Sequence, residues 1–168
     1  MPSPPSHSLT DIVLRLVDAS VDFILVGGLA AVAQGATMST FDVDIVHSRT
    51  EDNLDRLLDA LIGLDACYRG RPGGERLPPE RTALAGPGHS LLMTSLGPLD
   101  VLGEIEGHRS YAQLIEHTEC VTFAGRAVHV LSLEMIVELK RASSHPKDVR
   151  ALPVLEAALQ RAKRGTPP

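Results

Sequence analysis

Two carboxylates one residue apart, Asp42 and Asp44, are the residues whose type and spacing most directly allow chemistry. They lie in the segment FDVDIV, where acidic and apolar residues alternate as they do along a β-strand. Because same-face neighbours on a strand are about 7 Å apart, both side chains can converge on one cation. Mg²⁺ prefers hard oxygen ligands of this kind. The pair predicts a metal site, although two acids on the solvated face of an edge strand would give the same pattern.

The segment just upstream is predicted to place phosphate oxygens beside this pair. An apolar run from 23 to 26 is typical of a short buried strand. Gly27 and Gly28 then permit a tight turn where a side chain would clash. Residues 29–34 can form a short helix, and the free N–H groups of its first turn would point into the turn, where they attract anions.

A third acid, Asp100, belongs to a predicted β-hairpin further along the chain. Apolar runs at 89–95 and 99–105 flank Gly97-Pro98, which is a strong turn signal. Asp100 is the one acid between positions 88 and 103. Taken alone, it is typical of a surface residue beside a turn.

Size and composition predict one globular domain. The chain has 168 residues, of which 43% are hydrophobic and 22% charged. We expect the domain to span residues 8–162, with flexible tails at 1–7 and 163–168. Aromatic residues make up only 3% and Trp is absent, which argues against a stacking platform for nucleic-acid bases.

Charge is distributed unevenly. The net charge is −5, yet residues 138–168 hold seven Lys or Arg against three acids. This basic end could meet a polyanion, or it could be a solvated helix face.

Cys67 and Cys120 match no metal or redox spacing, and we expect reduced thiols in the cytoplasm. No apolar run approaches the roughly 20 residues of a membrane helix, so no membrane partner is expected.

The composition of residues 70–88 predicts a long loop. Five Gly and four Pro fall in this segment, and we expect neither a helix nor a central strand there. Loops of this length are often functional. Four arginines lie in or beside it and could bind a triphosphate or RNA, although solubilising charge explains them too: Arg69, Arg71, Arg76 and Arg81.

Helices are predicted around these segments. Ser8 is expected to cap the first, and Thr50 a second over residues 51–62. Ser132 is expected to cap a third that ends near 142. Pro153 should interrupt or restart the last one.

The motifs resemble those of the DNA polymerase beta-type nucleotidyltransferase superfamily, and within it the small bacterial nucleotidyltransferase-like proteins that include abortive-infection toxins. Those proteins carry G-G followed by G-x-x-R-x-T-x-D-x-D, which here spans positions 35–44. Thr40 and both acids match, whereas Met38 replaces the family Arg and Gln34 stands where His is common. A second shared motif is K-R-A followed by P-K-D, at positions 140–148.

This resemblance implies an α+β fold, namely a nucleotidyltransferase-like mixed β-sheet flanked by helices, with a helical C-terminal part. It also implies transfer of NMP from an NTP with Mg²⁺ or Mn²⁺ as cofactor. The implied metal ligands and catalytic residues are Asp42, Asp44 and Asp100. The implied nucleotide-binding residues include Gly27, Gly28 and Thr40.

Two further site residues, Lys140 and Asp148, are implied to point toward the nucleotide, with Lys140 also catalytic. A Lys on an apolar helix face either reaches to solvent or faces an anion, and the sequence alone leaves both open. The resemblance offers tRNA or another RNA as acceptor, and an antitoxin protein as a possible partner. The alternatives are transfer to a small molecule or a protein hydroxyl, and a non-catalytic nucleotide-binding module of a toxin-antitoxin pair.

Overall fold

A computed structural model describes the backbone of residues 5–165 and the side chains from residue 9 onward. Its helices are α1 (Pro5–Asp18), α2 (Gly27–Ala33), α3 (Glu51–Gly63), α4 (Arg81–Ala85), α5 (Tyr111–Leu114), α6 (Leu133–Ala142) and α7 (Pro146–Arg164). Its strands are β1 (Phe23–Val26), β2 (Val43–His47), β3 (Cys67–Tyr68), β4 (His89–Thr94), β5 (Gly97–Leu102), β6 (Glu104–Ile105), β7 (Arg109–Ser110), β8 (Thr118–Phe123) and β9 (Arg126–Leu131). Short 3₁₀ helices cover Pro72–Gly74 and Ile115–His117.

The predicted mixed sheet is confirmed. Seven strands lie in the order β3-β4-β5-β2-β1-β9-β8, and β6 with β7 forms a separate hairpin. β2 pairs antiparallel with β1 and parallel with β5, whereas β1 pairs parallel with β9. Strands from three separate parts of the sequence therefore meet at the centre of the sheet.

The core lies between the central strands and the helices. All four residues of β1 are buried, as are Ile12 and Leu16 of α1 and Leu57 of α3. β4 alternates instead, with Ser90, Leu92 and Thr94 buried and the residues between them exposed. One face of the β3-β4-β5 half of the sheet is thus open to solvent. Burial also alternates along β5, and Asp100 is one of its partly exposed residues. None of the described helices combines the length and apolar character that a bilayer crossing requires.

The expectation that residues 70–88 contain no helix is wrong, because α4 forms there. The prolines at 78 and 79 precede α4 instead of interrupting it, and Gly86 follows its last residue. Leu84 of α4 is fully buried, and its carbonyl accepts a hydrogen bond from His47 Nε2 at 2.7 Å. Burial and this contact with β2 stabilise a helix too short to persist alone.

Three predicted helix boundaries are corrected. α1 begins at Pro5, so Ser8 lies inside the helix and does not cap it; Pro is well tolerated in a first turn. Thr50 precedes α3 but makes no side-chain cap bond. α7 continues through Pro153, which is exposed, because the buried Leu155 and Ala158 on its other face hold the following turns against the core. Ser132, in contrast, accepts from the Met135 N–H as predicted.

The domain limits stay predictions. Of the expected tails, residues 1–4 and 166–168 lie outside the described residues. Residues 5–7 belong to α1, and residues 163–164 to α7.

Candidate active site

The three predicted carboxylates lie together. Oxygens of Asp42, Asp44 and Asp100 are all within 4.8 Å of one another. Asp44 and Asp100 are register partners in the parallel β2–β5 ladder, and Asp42 directly precedes β2. Neighbouring strands and a period of two therefore place acids 56 residues apart on one small patch.

Burial and mutual repulsion disfavour full ionisation of this group. Burial, the charge of Asp42 and a hydrogen bond with Asp100 together raise the pKa of Asp44 to about 8. The pKa of Asp42 is also raised, by burial and then by the charge of Asp100. The charge of Lys147 opposes both shifts. Near neutral pH the positive charges nearby thus do not neutralise the three acids, as expected of a site that binds cations.

The residues present fit a divalent metal such as Mg²⁺ or Mn²⁺. Three carboxylates supply hard oxygen donors, and Mg²⁺ commonly combines one or two carboxylates with waters and phosphate oxygens. Gly27 keeps the space beside them clear, because a Cβ at that position would lie 2.1 Å from Asp44 Oδ2. Its φ of +71° also favours glycine. The carboxylate of Asp44 therefore leaves no space for a side chain at position 27.

Gly28 and Thr40 shape the approach to Asp42. A Cβ on Gly28 would lie 2.9 Å from Thr40 Oγ1, and this hydroxyl donates to the backbone carbonyl of Asp42 at 3.3 Å. Thr40 also lines a separate apolar cavity of about 370 Å³, together with Met38. In this structure Thr40 supports the turn, and its predicted contact with nucleotide stays a prediction. Met38, at the position of the family Arg, supplies apolar packing.

A larger cavity opens beside Asp44 and Gly27. Its volume is about 670 Å³, and Asp44 is the member of the acidic group that lines it. Much of its lining is apolar, including Leu102, Ile105, Leu131, Ile136 and Leu139. Polar residues of the β6–β7 hairpin and its surroundings also line the cavity, namely His89, Glu104, Glu106 and His108. The spacing of residues in the sequence does not mark these four polar residues as part of a site.

Lys140 lines the same cavity and is hydrogen-bonded to Asp148, which does not line it. Lys140 Nζ donates to Asp148 Oδ1 at 2.7 Å, and Ser143 Oγ donates to Oδ2 at 2.6 Å. Burial would raise the pKa of Asp148, but the bonds from Lys140 and Ser143 outweigh it and hold that pKa below its usual value. The two predicted residues are therefore a hydrogen-bonded pair, of which Lys140 lines the cavity, and their contact with nucleotide stays a prediction.

Arg69 contacts the acidic group, a role that sequence reasoning missed. Its Nη2 donates to Asp100 Oδ1 at 2.6 Å. The other three arginines of this region pair with surface acids instead: Arg71 with Glu75, Arg76 with Asp65, and Arg81 with Asp55 and Glu51. Nothing in the spacing of the four distinguishes Arg69, because its partner depends on how β3 and β4 pair.

Gln34, where the family commonly has His, has a structural role here. Its Nε2 donates to the Leu131 carbonyl at 2.8 Å, and its Oε1 accepts from the Leu133 N–H at 3.2 Å. These bonds join the end of α2 to the β9–α6 connection.

Comparison with known proteins identifies the fold. The sequence matches no known protein-family profile and no curated protein. Among solved structures, TM1012 from Thermotoga maritima, a candidate nucleotidyltransferase, is 18% identical with a TM-score of 0.53, over 81% of this chain and 84% of that one. The lincosamide antibiotic adenylyltransferase LnuA, solved with lincomycin bound, is 15% identical with a TM-score of 0.60, over 90% and 96% of the two chains. ANT(2")-Ia, solved with adenylyl-2"-tobramycin, is 14% identical with a TM-score of 0.54, over 91% and 89%. The chain thus has the fold of nucleotidyltransferases.

Proposed function

We propose that this protein, which shares the fold of nucleotidyltransferases, is itself a metal-dependent nucleotidyltransferase. It would move NMP from an NTP, ATP among them, to an acceptor hydroxyl and release pyrophosphate. The observation that carries the proposal is the convergence of Asp42, Asp44 and Asp100 within 4.8 Å beside the Gly27 turn. Three partly buried carboxylates that repel one another are retained where a cation binds.

Each acid has a separate task in this proposal. Asp42 and Asp44 would hold Mg²⁺ or Mn²⁺ with the triphosphate, and Asp100 would join them and accept the proton of the acceptor hydroxyl. When bound, the divalent ions supply charge neutralisation at the attacking and leaving oxygens. The acceptor oxygen forms a bond to the α-phosphorus while the bond from that phosphorus to the bridging oxygen breaks. The departing group is pyrophosphate.

Lys140 provides positive charge on the cavity side of the site. Asp148, which Ser143 holds through its second oxygen, restrains the Lys140 ammonium group, so little side-chain freedom is lost when an anion binds. We assign Lys140 to the phosphates of the NTP and Asp148 to the orientation of Lys140. Gly28 and Thr40 maintain the turn that leaves room for the phosphates.

For the acceptor we favour the hydroxyl of a small molecule. The 670 Å³ cavity beside Asp44 has the size and mainly apolar wall of small-molecule sites, which are about 300–1,000 Å³. LnuA and ANT(2")-Ia were solved with lincomycin and with adenylyl-2"-tobramycin, both small molecules.

RNA as acceptor, and a toxin role with an antitoxin partner, stay predictions from the sequence. The basic C-terminal segment that favoured RNA is partly neutralised, since Arg141 pairs with Glu156 and Lys163 with Glu134. Lys147 remains as a cation whose charge reaches Asp42 and Asp44. An RNA acceptor would show the steep salt dependence of phosphate contacts.

A transfer assay tests the proposal. Purified protein is incubated with each labelled NTP, Mg²⁺ or Mn²⁺, and two acceptor pools: total RNA, and a panel of hydroxyl-bearing small molecules. We expect label in an acceptor and its loss in Asp42→Asn and Asp44→Asn. Asp59→Asn, an exposed acid on α3, is the matched control and should retain full activity. Equal labelling by Asp44→Asn and wild type would refute the assignment.

A further inference from the structure

Arg69 spans the sheet from its edge to the acidic group. It follows β3, and its backbone N–H donates to the Leu91 carbonyl at 2.9 Å. Its guanidinium then donates twice, from Nη1 to the Leu92 carbonyl at 3.0 Å and from Nη2 to Asp100 Oδ1 at 2.6 Å. Because β4 lies between β3 and β5, this side chain crosses one strand to reach Asp100.

The Arg69–Asp100 pair is more shielded from solvent than the other arginine pairs of this region. The side chains are 27% and 13% exposed, whereas those of Arg76 and Asp65 are 64% and 74% exposed. Exposed pairs contribute little because water and salt screen them. A partly buried, charge-assisted bond with a second bond to backbone restrains both groups more strongly.

We infer that Arg69 is a positioning residue for Asp100, which it holds in the orientation needed to share a divalent cation with Asp42 and Asp44. This inference rests on the function proposed above. With Oδ1 bound to the guanidinium, the carboxylate of Asp100 cannot rotate freely. It is also hydrogen-bonded to Asp44, so the carboxylate is held from two sides.

Arg69 acts through its geometry in this assignment and not through its charge alone. The guanidinium is a planar fork whose two nitrogens reach the Leu92 carbonyl and Asp100 together. A lysine would keep the positive charge but offers a single nitrogen. Arg69→Lys therefore separates charge from geometry. The lysine still repels a metal ion electrostatically, but it cannot reach the Leu92 carbonyl and Asp100 with two nitrogens.

The test measures Mn²⁺ binding by electron paramagnetic resonance in wild type and Arg69→Lys. Groups that orient a metal ligand typically contribute 10- to 100-fold to metal affinity, and we expect Arg69→Lys to bind Mn²⁺ at least about 10-fold more weakly. Arg76→Lys is the matched control, because Arg76 also bonds to a carboxylate, Asp65, at 2.8 Å but has no contact with the acidic group. It should bind Mn²⁺ within about twofold of wild type.

A second variant guards against misfolding. Arg69→Ala leaves space for free guanidinium, which should restore Mn²⁺ affinity and kcat toward wild-type values, whereas urea at the same concentration should not. For Arg69→Lys we expect kcat to fall about 10-fold or more, while the KM for NTP changes less than about threefold.

Two results would overturn the inference. In the first, Arg69→Lys binds Mn²⁺ as wild type does, and Asp44→Asn does not; the metal site then exists without help from Arg69. In the second, Arg69→Ala folds and binds Mn²⁺ weakly, yet guanidinium gives no recovery. If wild type and Asp44→Asn both fail to bind Mn²⁺, the proposed function falls as well, and the failures are thereby distinguished.

Discussion

Replacing Asp44 with Asn should stabilise the metal-free protein at pH 8 while abolishing its activity. Asp44 is the acid most affected by its neighbours, with a pKa raised to about 8 by burial, by Asp42 and by Asp100. An amide has nearly the same shape and can donate to either carboxylate, and it carries no charge. The variant should thus relieve a repulsion that wild type relieves by binding a cation.

The magnitude follows from proton linkage. The folded protein binds the Asp44 proton more tightly than the unfolded chain does, with a pKa near 8 against 3.8. Wild type therefore loses stability as pH rises between these two values, at up to about 1.4 kcal/mol per pH unit. From pH 5 to pH 8 the upper limit is about 4 kcal/mol, and because Asp42 and Asp100 share the repulsion we expect about 1–3 kcal/mol.

Urea unfolding of wild type, Asp44→Asn and the control Asp59→Asn measures this effect. Each is followed at pH 5 and pH 8 in chelator. The stability of Asp44→Asn minus that of wild type should grow by about 1–3 kcal/mol from pH 5 to pH 8, which corresponds to roughly 2–12 °C in Tm for a chain of this size. Adding Mg²⁺ at pH 8 should stabilise wild type and leave Asp44→Asn unchanged.

Comparing the two proteins removes the contributions of groups that they share. His47, for example, is buried with a lowered pKa and destabilises both proteins equally as pH falls. The reasoning fails if Asp44→Asn is less stable than wild type at pH 8, or if the difference between them shrinks from pH 5 to pH 8.

Two further substitutions test the surroundings of the acids. Gly27→Ala should destabilise the fold by about 1–3 kcal/mol and prevent Mn²⁺ binding, because its Cβ would lie 2.1 Å from Asp44 Oδ2 at a positive φ. The control is Gly63→Ala, where a Cβ meets nothing within 4 Å. Similar urea midpoints for the two variants would contradict this prediction. Lys140→Met should raise the KM for NTP about tenfold or more in steady-state assays, because Lys140 lines the cavity. Arg141→Met, at an exposed neighbouring position, is the control and should leave the KM unchanged. An unchanged KM in Lys140→Met would show that Lys140 does not bind the nucleotide.

Much of the site could be predicted because local rules fix it. A period of two places Asp42 and Asp44 on one face, and the two glycines that precede them mark the turn. The hairpin signal at Gly97-Pro98 was sufficient to place Asp100 on a strand. Its meeting with the other acids was not local; it came from the family resemblance, and the parallel β2–β5 pairing then confirmed the contact.

The features that sequence reasoning missed depend on long-range packing. α4 is stabilised by the burial of Leu84 and by His47, which lies 37 residues away. Pro153 is tolerated because only the other face of α7 is buried. The partner of Arg69 is decided by strand order in the sheet, to which β3 contributes only two residues. Propensities and spacing contain no information on any of these three contacts.

The ladder that joins β2 to β5 makes the distance between Asp44 and Asp100 independent of the chain that connects them. The connecting segment can therefore gain or lose residues, above all in the exposed stretch around positions 70–76, without displacing either acid. Inside the ladder the opposite holds: deleting one residue between Gly97 and Asp100 would turn the third acid toward the core. Length variation among proteins that share this site should consequently concentrate in that connection and spare the two short strands.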